Sequence, residues 1–188
     1  MKTNKIVIGL TGMPGAGKSQ VVNTAQKVGY EVVTMGDVIR EETKKRNLDL
    51  NPQNVGKIML ELRAQNGENV IAEKCITKIE QKTSSKVIID GLRSYVEAEV
   101  FHKHFPKFTL TAVHAPPELR FNRLATRGRS DDPKTWEVFH ERDMRELEVG
   151  IGKAIALSEY IIINDDTIDT LDSRAKEALQ RAEKKWTK

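Results

Sequence analysis

The stretch Gly12-Met13-Pro14-Gly15-Ala16-Gly17-Lys18-Ser19 constrains this chain more than any other. Its spacing of glycine, four residues, glycine, lysine and then serine or threonine is that of a phosphate-binding loop. Each residue type has a physical reason. The glycines let the backbone turn tightly and direct its N–H groups onto a polyphosphate, and the helix start that follows adds its own unpaired N–H groups to a partly positive nest. Lys18 adds a mobile full charge near the terminal phosphates, and Ser19 a hydroxyl suited to Mg²⁺. The flanks agree with this reading. A strand-like run, Ile6-Val7-Ile8-Gly9-Leu10, leads in, and helical periodicity in Val21, Val22, Ala25 and Val28 leads out.

At 188 residues the chain is expected to form one domain with a substantial core. Charged residues make up 31% and aromatics 5%, so the core should be aliphatic beneath a heavily charged surface. The net charge of +4 reads as a site for anionic substrates rather than a nucleic-acid surface, since no basic block or basic–aromatic tract is present. One cysteine, Cys75, permits no internal disulfide, fits a reducing cytosol and lies at a core position of a helical pattern. No signal-peptide pattern precedes Ile6, and no apolar run nears the ~20 residues that span a bilayer. The expectation is a soluble cytoplasmic protein with no membrane partner.

Strand-like runs recur at Tyr30–Met35, Lys86–Gly91, Thr109–His114 and, together with its exit loop, Ser158–Asp165, each separated by helical pattern. Five strands alternating with helices predict an α/β fold built on a five-stranded parallel sheet with helices on both faces. Between residues 44 and 85 no strand signal appears. Two helical patterns, punctuated by Pro52 and Gly67, predict a helical excursion from the sheet. Asp37 is placed either as the cap of the helix after the second strand or as a functional carboxylate at the sheet's ligand-binding edge. Asp90 ends an apolar strand, which is where a carboxylate can reach a magnesium shell. Asp132 and Pro133 are expected to cap and start the helix containing Trp136, Phe139, Arg142 and Arg145.

Taken together, these residues resemble the P-loop nucleoside monophosphate kinase group, which includes adenylate kinase and dephospho-CoA kinase, and are most similar to an archaeal branch of it. The likeness is spread over nearly the whole chain. Gly36-Asp37-Val38-Ile39-Arg40-Glu41 resembles the adenylate-kinase segment whose arginine holds the acceptor phosphate, and Asp90-Gly91-Leu92-Arg93 resembles the loop carrying an aspartate and a second acceptor arginine. In the second case the arginine comes one position early and the usual proline is missing. Arg123-Leu124-Ala125-Thr126-Arg127 is similar to the entrance of the lid, where one arginine meets the adenine and the next a phosphate. Gly128-Arg129-Ser130-Asp131-Asp132 and Arg142 resemble the lid's closing arginines. Ser158–Asp165, with Asn164, is similar to the C-terminal signature of dephospho-CoA kinases.

The resemblance implies a P-loop NTPase three-layer fold, with core segments 1–35, 86–126 and 146–188, an acceptor-side helical insertion at 36–85 and a short lid at 127–145. It implies ATP or GTP with Mg²⁺ as donor and a small nucleotide-type acceptor. Lys18, Asp37, Arg127, Arg129 and Arg142 are the catalytic candidates. Gly12 through Ser19, Arg123 and Asn164 are the nucleotide candidates, Asp37, Arg40, Asp90 and Arg93 the acceptor candidates, and Ser19 and Asp90 the metal candidates. A solvated surface in which Glu137, Glu141, Glu146 and Glu148 pair with the arginines is the competing reading of the lid helix. A P-loop switch that uses ATP in RNA or protein assembly, with weak ATPase activity, is the competing function.

Overall fold

The computed structural model describes residues 4–129 and 132–187, so Ser130 and Asp131 of the expected lid lie outside the described residues. Five strands form one parallel sheet: β1 (Ile6–Thr11), β2 (Glu31–Thr34), β3 (Lys86–Leu92), β4 (Lys107–His114) and β5 (Tyr160–Ile163), in the spatial order β2-β3-β1-β4-β5. The inner strands β1, β3 and β4 are largely buried apolar runs because both faces are covered there, whereas Ile161 and Ile163 of the edge strand β5 stay exposed. Along β1 the side chains alternate: Val7 packs into one core, and Ile8 and Leu10 into the other.

The helices divide between those faces. On one, α1 (Lys18–Lys27) lies beside the C-terminal α9 (Ile168–Trp186). Leu171, Ala175, Leu179 and Ala182 of α9 recur at helical spacing and are buried with Val21 and Ala25 of α1. On the other, α2 (Met35–Lys45), α3 (Pro52–Asn66), α4 (Val70–Glu80) and α5 (Tyr95–His104) surround a larger core that includes Ile58, Leu62, Ile71, Cys75 and Phe101. Burial there pushes the Cys75 thiol up to about 12, so it behaves as a core residue rather than a nucleophile. The remaining helices are α6 (Pro117–Arg127), α7 (Trp136–Val149) and α8 (Ile151–Ala156). Gly150, at φ 105°, separates α7 from α8, a break the sequence reading did not place. Among the described residues, no helix is long and apolar enough to cross a membrane.

Two features of the sheet position the site. The chain leaves β1 for β2 and β3 on one side and then crosses to β4 on the other, so the carboxyl edge of β1 is a topological switch point, where α/β sheets bind ligands. At that same edge the β1–β3 register slips: Leu10 faces Asp90, but Thr11 faces Leu92, and Gly91 is left over at φ 101°. Thr11 Oγ1 donates to the Leu92 carbonyl at 2.9 Å and holds the slip. A bulge of this kind re-aims the side chain beside it, here Asp90.

Candidate active site

The loop between β1 and α1 folds against its neighbours at contact distance. A β-carbon at Gly12, where φ is +146°, would lie 2.3 Å from the Val113 carbonyl oxygen of β4. Only glycine fits there. The Ala16 N–H donates to Met13 O at 3.1 Å, and Lys18 Nζ donates to Gly12 O at 2.5 Å and Met13 O at 3.2 Å. Gly17 heads α1 with no side-chain cap, and the first turn carries no acidic residue. The first N–H groups and the positive end of the helix dipole are therefore not neutralised by the helix's own side chains. Burial lowers the Lys18 ammonium to about 8, against the opposing pull of the Asp90 carboxylate.

Asp90 is the counterpart. Its Oδ1 is buried without a hydrogen-bond partner. Burial raises its carboxyl above the ordinary range, Lys18 and Arg93 pull it back, and Asp37 pushes it further up. These couplings gather Lys18, Asp90, Arg93, Asp37 and Arg40 at one edge of the sheet. The structure corrects the helix-cap alternative for Asp37. No polar turn separates β2 from α2; the helix starts at Met35 with Thr34 in the cap position. Asp37 sits within the first turn and pairs with Arg40 at 2.6 Å, both side chains about half exposed. Arg93 pairs with Glu146 of α7 at 3.1 Å, while its backbone N–H donates to the buried Glu97, which also holds Arg63 of α3.

The lid-side arginines meet on a different acid. Asp132 accepts from Arg127, lies 3.8 Å from Arg142 and takes the Arg129 backbone N–H at 2.9 Å. These donors, the Arg127 hydrogen bond foremost, hold its carboxyl below the usual range. Asp132 therefore does not cap the next helix. Thr135 does, through Val138 N, and α7 begins at Trp136 rather than at Pro133. The reason is local: its carboxylate is turned to the preceding segment, where Arg127 reaches both oxygens and the Arg129 backbone N–H adds a third donor. Arg145 is exposed on α7, and Glu146, one of the four glutamates named for the lid arginines, instead binds Arg93.

Sequence reasoning gave Arg120 and Asp143 no role. Arg120, 4% exposed, makes a two-point pair with Asp143 at 2.9 and 2.5 Å. It also donates to Ala115 O and Pro14 O, each at 3.2 Å, and lies 4.9 Å over the Phe139 ring. One turn later, Arg123 donates to Asn164 O and Oδ1 at 3.2 Å, with its Nη1 buried and unpartnered. Asn164 Nδ2 in turn donates to Ala16 O at 2.8 Å. The available signal was the spacing of Arg120 and Arg123, which puts both on one face of α6. Asp143, 23 positions away, had no such signal.

A model of the AAA domain matches residues 11–140. A UPF0200 protein of Methanocaldococcus jannaschii is 46% identical over 185 residues, covering 95% of this chain and 93% of that protein. One from Thermococcus onnurineus is 43% identical over 180 residues, covering 94% and 97%. Among solved structures, shikimate kinase from Bacteroides thetaiotaomicron superposes with a TM-score of 0.60 at 20% identity, over 93% of this chain and 98% of that one. A gluconokinase from Sinorhizobium meliloti gives 0.60 at 14% identity, over 98% and 97%. At such identities the likeness is one of fold, and the fold is that of the P-loop kinases.

Proposed function

This chain belongs to the AAA-domain family and to the UPF0200 proteins, and on that premise we propose that it is a P-loop phosphotransferase acting on a small molecule. It moves the γ-phosphoryl of ATP, or of GTP, to a nucleotide-type acceptor, either a nucleoside monophosphate or dephospho-CoA. The observation that carries this reading is the buried, unpartnered carboxylate oxygen of Asp90 coupled to Lys18 at the mouth of the glycine loop. Neighbours named shikimate kinase and gluconokinase share the fold, which supports a small-molecule acceptor.

In this reading the division is core 1–35, 86–126 and 146–188, acceptor-side insertion 36–85 and lid 127–145. Backbone N–H groups from Gly15 to Ser19 hold the donor's phosphates. Lys18 exchanges its two carbonyl partners for phosphate oxygens. Magnesium fits the remaining donor set: the Ser19 hydroxyl would bind it directly and the orphaned Asp90 oxygen through water. When bound it neutralises charge on the β- and γ-phosphates. Arg40 and Arg93 orient the acceptor. An acceptor oxygen then attacks the γ-phosphorus while its bond to the β–γ bridging oxygen breaks and the nucleoside diphosphate, ADP or GDP, leaves. A monophosphate acceptor needs no base, whereas a hydroxyl acceptor gives its proton to Asp37. Arg127 and Arg142 exchange Asp132 for the transferring group, Arg129 joins them there, and Arg123 and Asn164 serve the base end of the donor.

The test is a product screen with ATP or GTP, magnesium and each of AMP, CMP, UMP, GMP and dephospho-CoA. A phosphorylated acceptor is expected in one case. Salt-dependent RNA binding with no phosphorylated small molecule would replace this reading with the assembly-switch one.

A further inference from the structure

Every described peptide bond is trans, so the carbonyl and the N–H of one peptide point in opposite directions. That geometry makes two contacts of the phosphate loop directional. Arg120 Nη1 donates to Pro14 O, which fixes the Pro14–Gly15 peptide with its carbonyl toward α6 and its Gly15 N–H facing away from α6. Asn164 does the same for the Ala16–Gly17 peptide by donating to Ala16 O. Gly15 is pressed onto the same helix: at φ +79°, a β-carbon there would lie 2.7 Å from the Arg120 carbonyl oxygen. The loop's inward N–H groups are thus set by what grips its carbonyls from behind.

Arg120 itself is set by α7. Asp143 takes two of its guanidinium donors, Ala115 O a third, and Phe139 covers its face. The planar fork of arginine makes four contacts at once, two to Asp143 and one each to Ala115 O and Pro14 O, more than the three N–H donors of a lysine can supply. As a buried ion pair, Arg120–Asp143 adds little to folding over apolar residues of similar volume. Its reach beyond the pair, to the phosphate loop, is what apolar residues cannot supply.

We propose that Arg120 is a positioning residue of the phosphate loop, and that Asp143 of α7 holds it to that task. The proposal rests on the loop binding a polyphosphate, as the kinase reading requires. It adds that the helix closing the lid segment also shapes the donor site. On α7, Arg142 faces the lid acid Asp132, Asp143 acts on the loop through Arg120, and Glu146 holds Arg93 of the acceptor loop.

The test compares two variants of the full chain, Arg120→Met/Asp143→Leu and Arg120→Lys, by melting temperature without nucleotide and by calorimetric affinity for magnesium ADP. The double variant replaces the ion pair by apolar volume and should melt close to the unaltered protein. Its affinity should nevertheless fall by about tenfold or more, the worth of one charge-assisted hydrogen bond. Arg120→Lys, which keeps a cation against Asp143, should lose affinity likewise. Affinity that is kept, or that falls only in step with melting temperature, would make the pair a structural brace and overturn the proposal. Absence of ADP binding by the unaltered protein is a separate result, and it refutes the kinase reading instead.

Discussion

Raising the pH should weaken nucleotide binding in a window set by one lysine. Burial lowers Lys18 to about 8 in the free protein. A bound polyphosphate stabilises the charged form and returns the pKa toward or above the usual ~10.4. At pH 7 about nine-tenths of Lys18 is already charged, whereas at pH 9 about one-tenth is. If only the charged form grips phosphate, affinity for magnesium ADP should fall about tenfold between pH 7 and 9, with uptake of nearly one proton per nucleotide at pH 9. The phosphates themselves stay ionised across this range, having titrated near pH 6. Calorimetry in two buffers of different ionisation enthalpy measures both quantities. The same group has the opposite effect on folding: between pH 8 and 10.5 the unfolded chain holds more protons, so stability should rise with pH by up to about 3 kcal/mol. Lys18→Arg, charged throughout, should flatten both slopes. An affinity that stays constant from pH 7 to 9, or a decline that Lys18→Arg shares, would refute the reasoning.

Two further substitutions separate roles at the acceptor edge. Asp90→Asn should melt at or above the unaltered protein at pH 7, with the difference shrinking toward pH 4. Burial raises the Asp90 pKa, so its ionised form is costly above that value and the cost vanishes as it protonates. Magnesium-dependent turnover should drop about 10²-fold in the same variant; a lower melting point at pH 7 with full turnover would contradict the assignment. Asp37→Asn should abolish transfer to a hydroxyl acceptor and spare transfer to a monophosphate. Since Asp37 is not the cap of α2, loss of turnover cannot be put down to a lost cap, and unchanged transfer to a hydroxyl would remove the proposed base.

Much of the fold was legible because its signals are local. The apolar run Ile6–Leu10, the glycine spacing and the periodicity of α1 lie within one strand–loop–helix unit and need no tertiary information. The same holds for the other strands, whose runs are rich in β-branched residues, and for the α3–α4 excursion. What escaped depended on which side chains pair, most of them with partners distant in sequence. Asp132 looks like a helix cap until Arg127 and Arg142 claim it. Met35 looks like the end of a strand and Gly36-Asp37 like a turn, yet Met35, Val38 and Ile39 all bury in the core, and that burial draws the helix start back to the strand's end. Of the three arginines on α6, Arg120 has no role assigned from sequence, and its role depends on Asp143 and Pro14, 23 and 106 positions away. The bulge at Gly91 that aims Asp90 is likewise a product of pairing between β1 and β3, invisible in β3 alone.

The central claim is that the γ-phosphoryl moves to an organic acceptor under the charge of Lys18. The direct measurement follows ATP labelled in the γ position, with magnesium and the accepting nucleotide or dephospho-CoA, for the unaltered protein and for Lys18→Ala. The account predicts label in a phosphorylated organic product, formed about 10²-fold or more slowly by Lys18→Ala. Label recovered only as inorganic phosphate with every acceptor, or full transfer by Lys18→Ala, would contradict it.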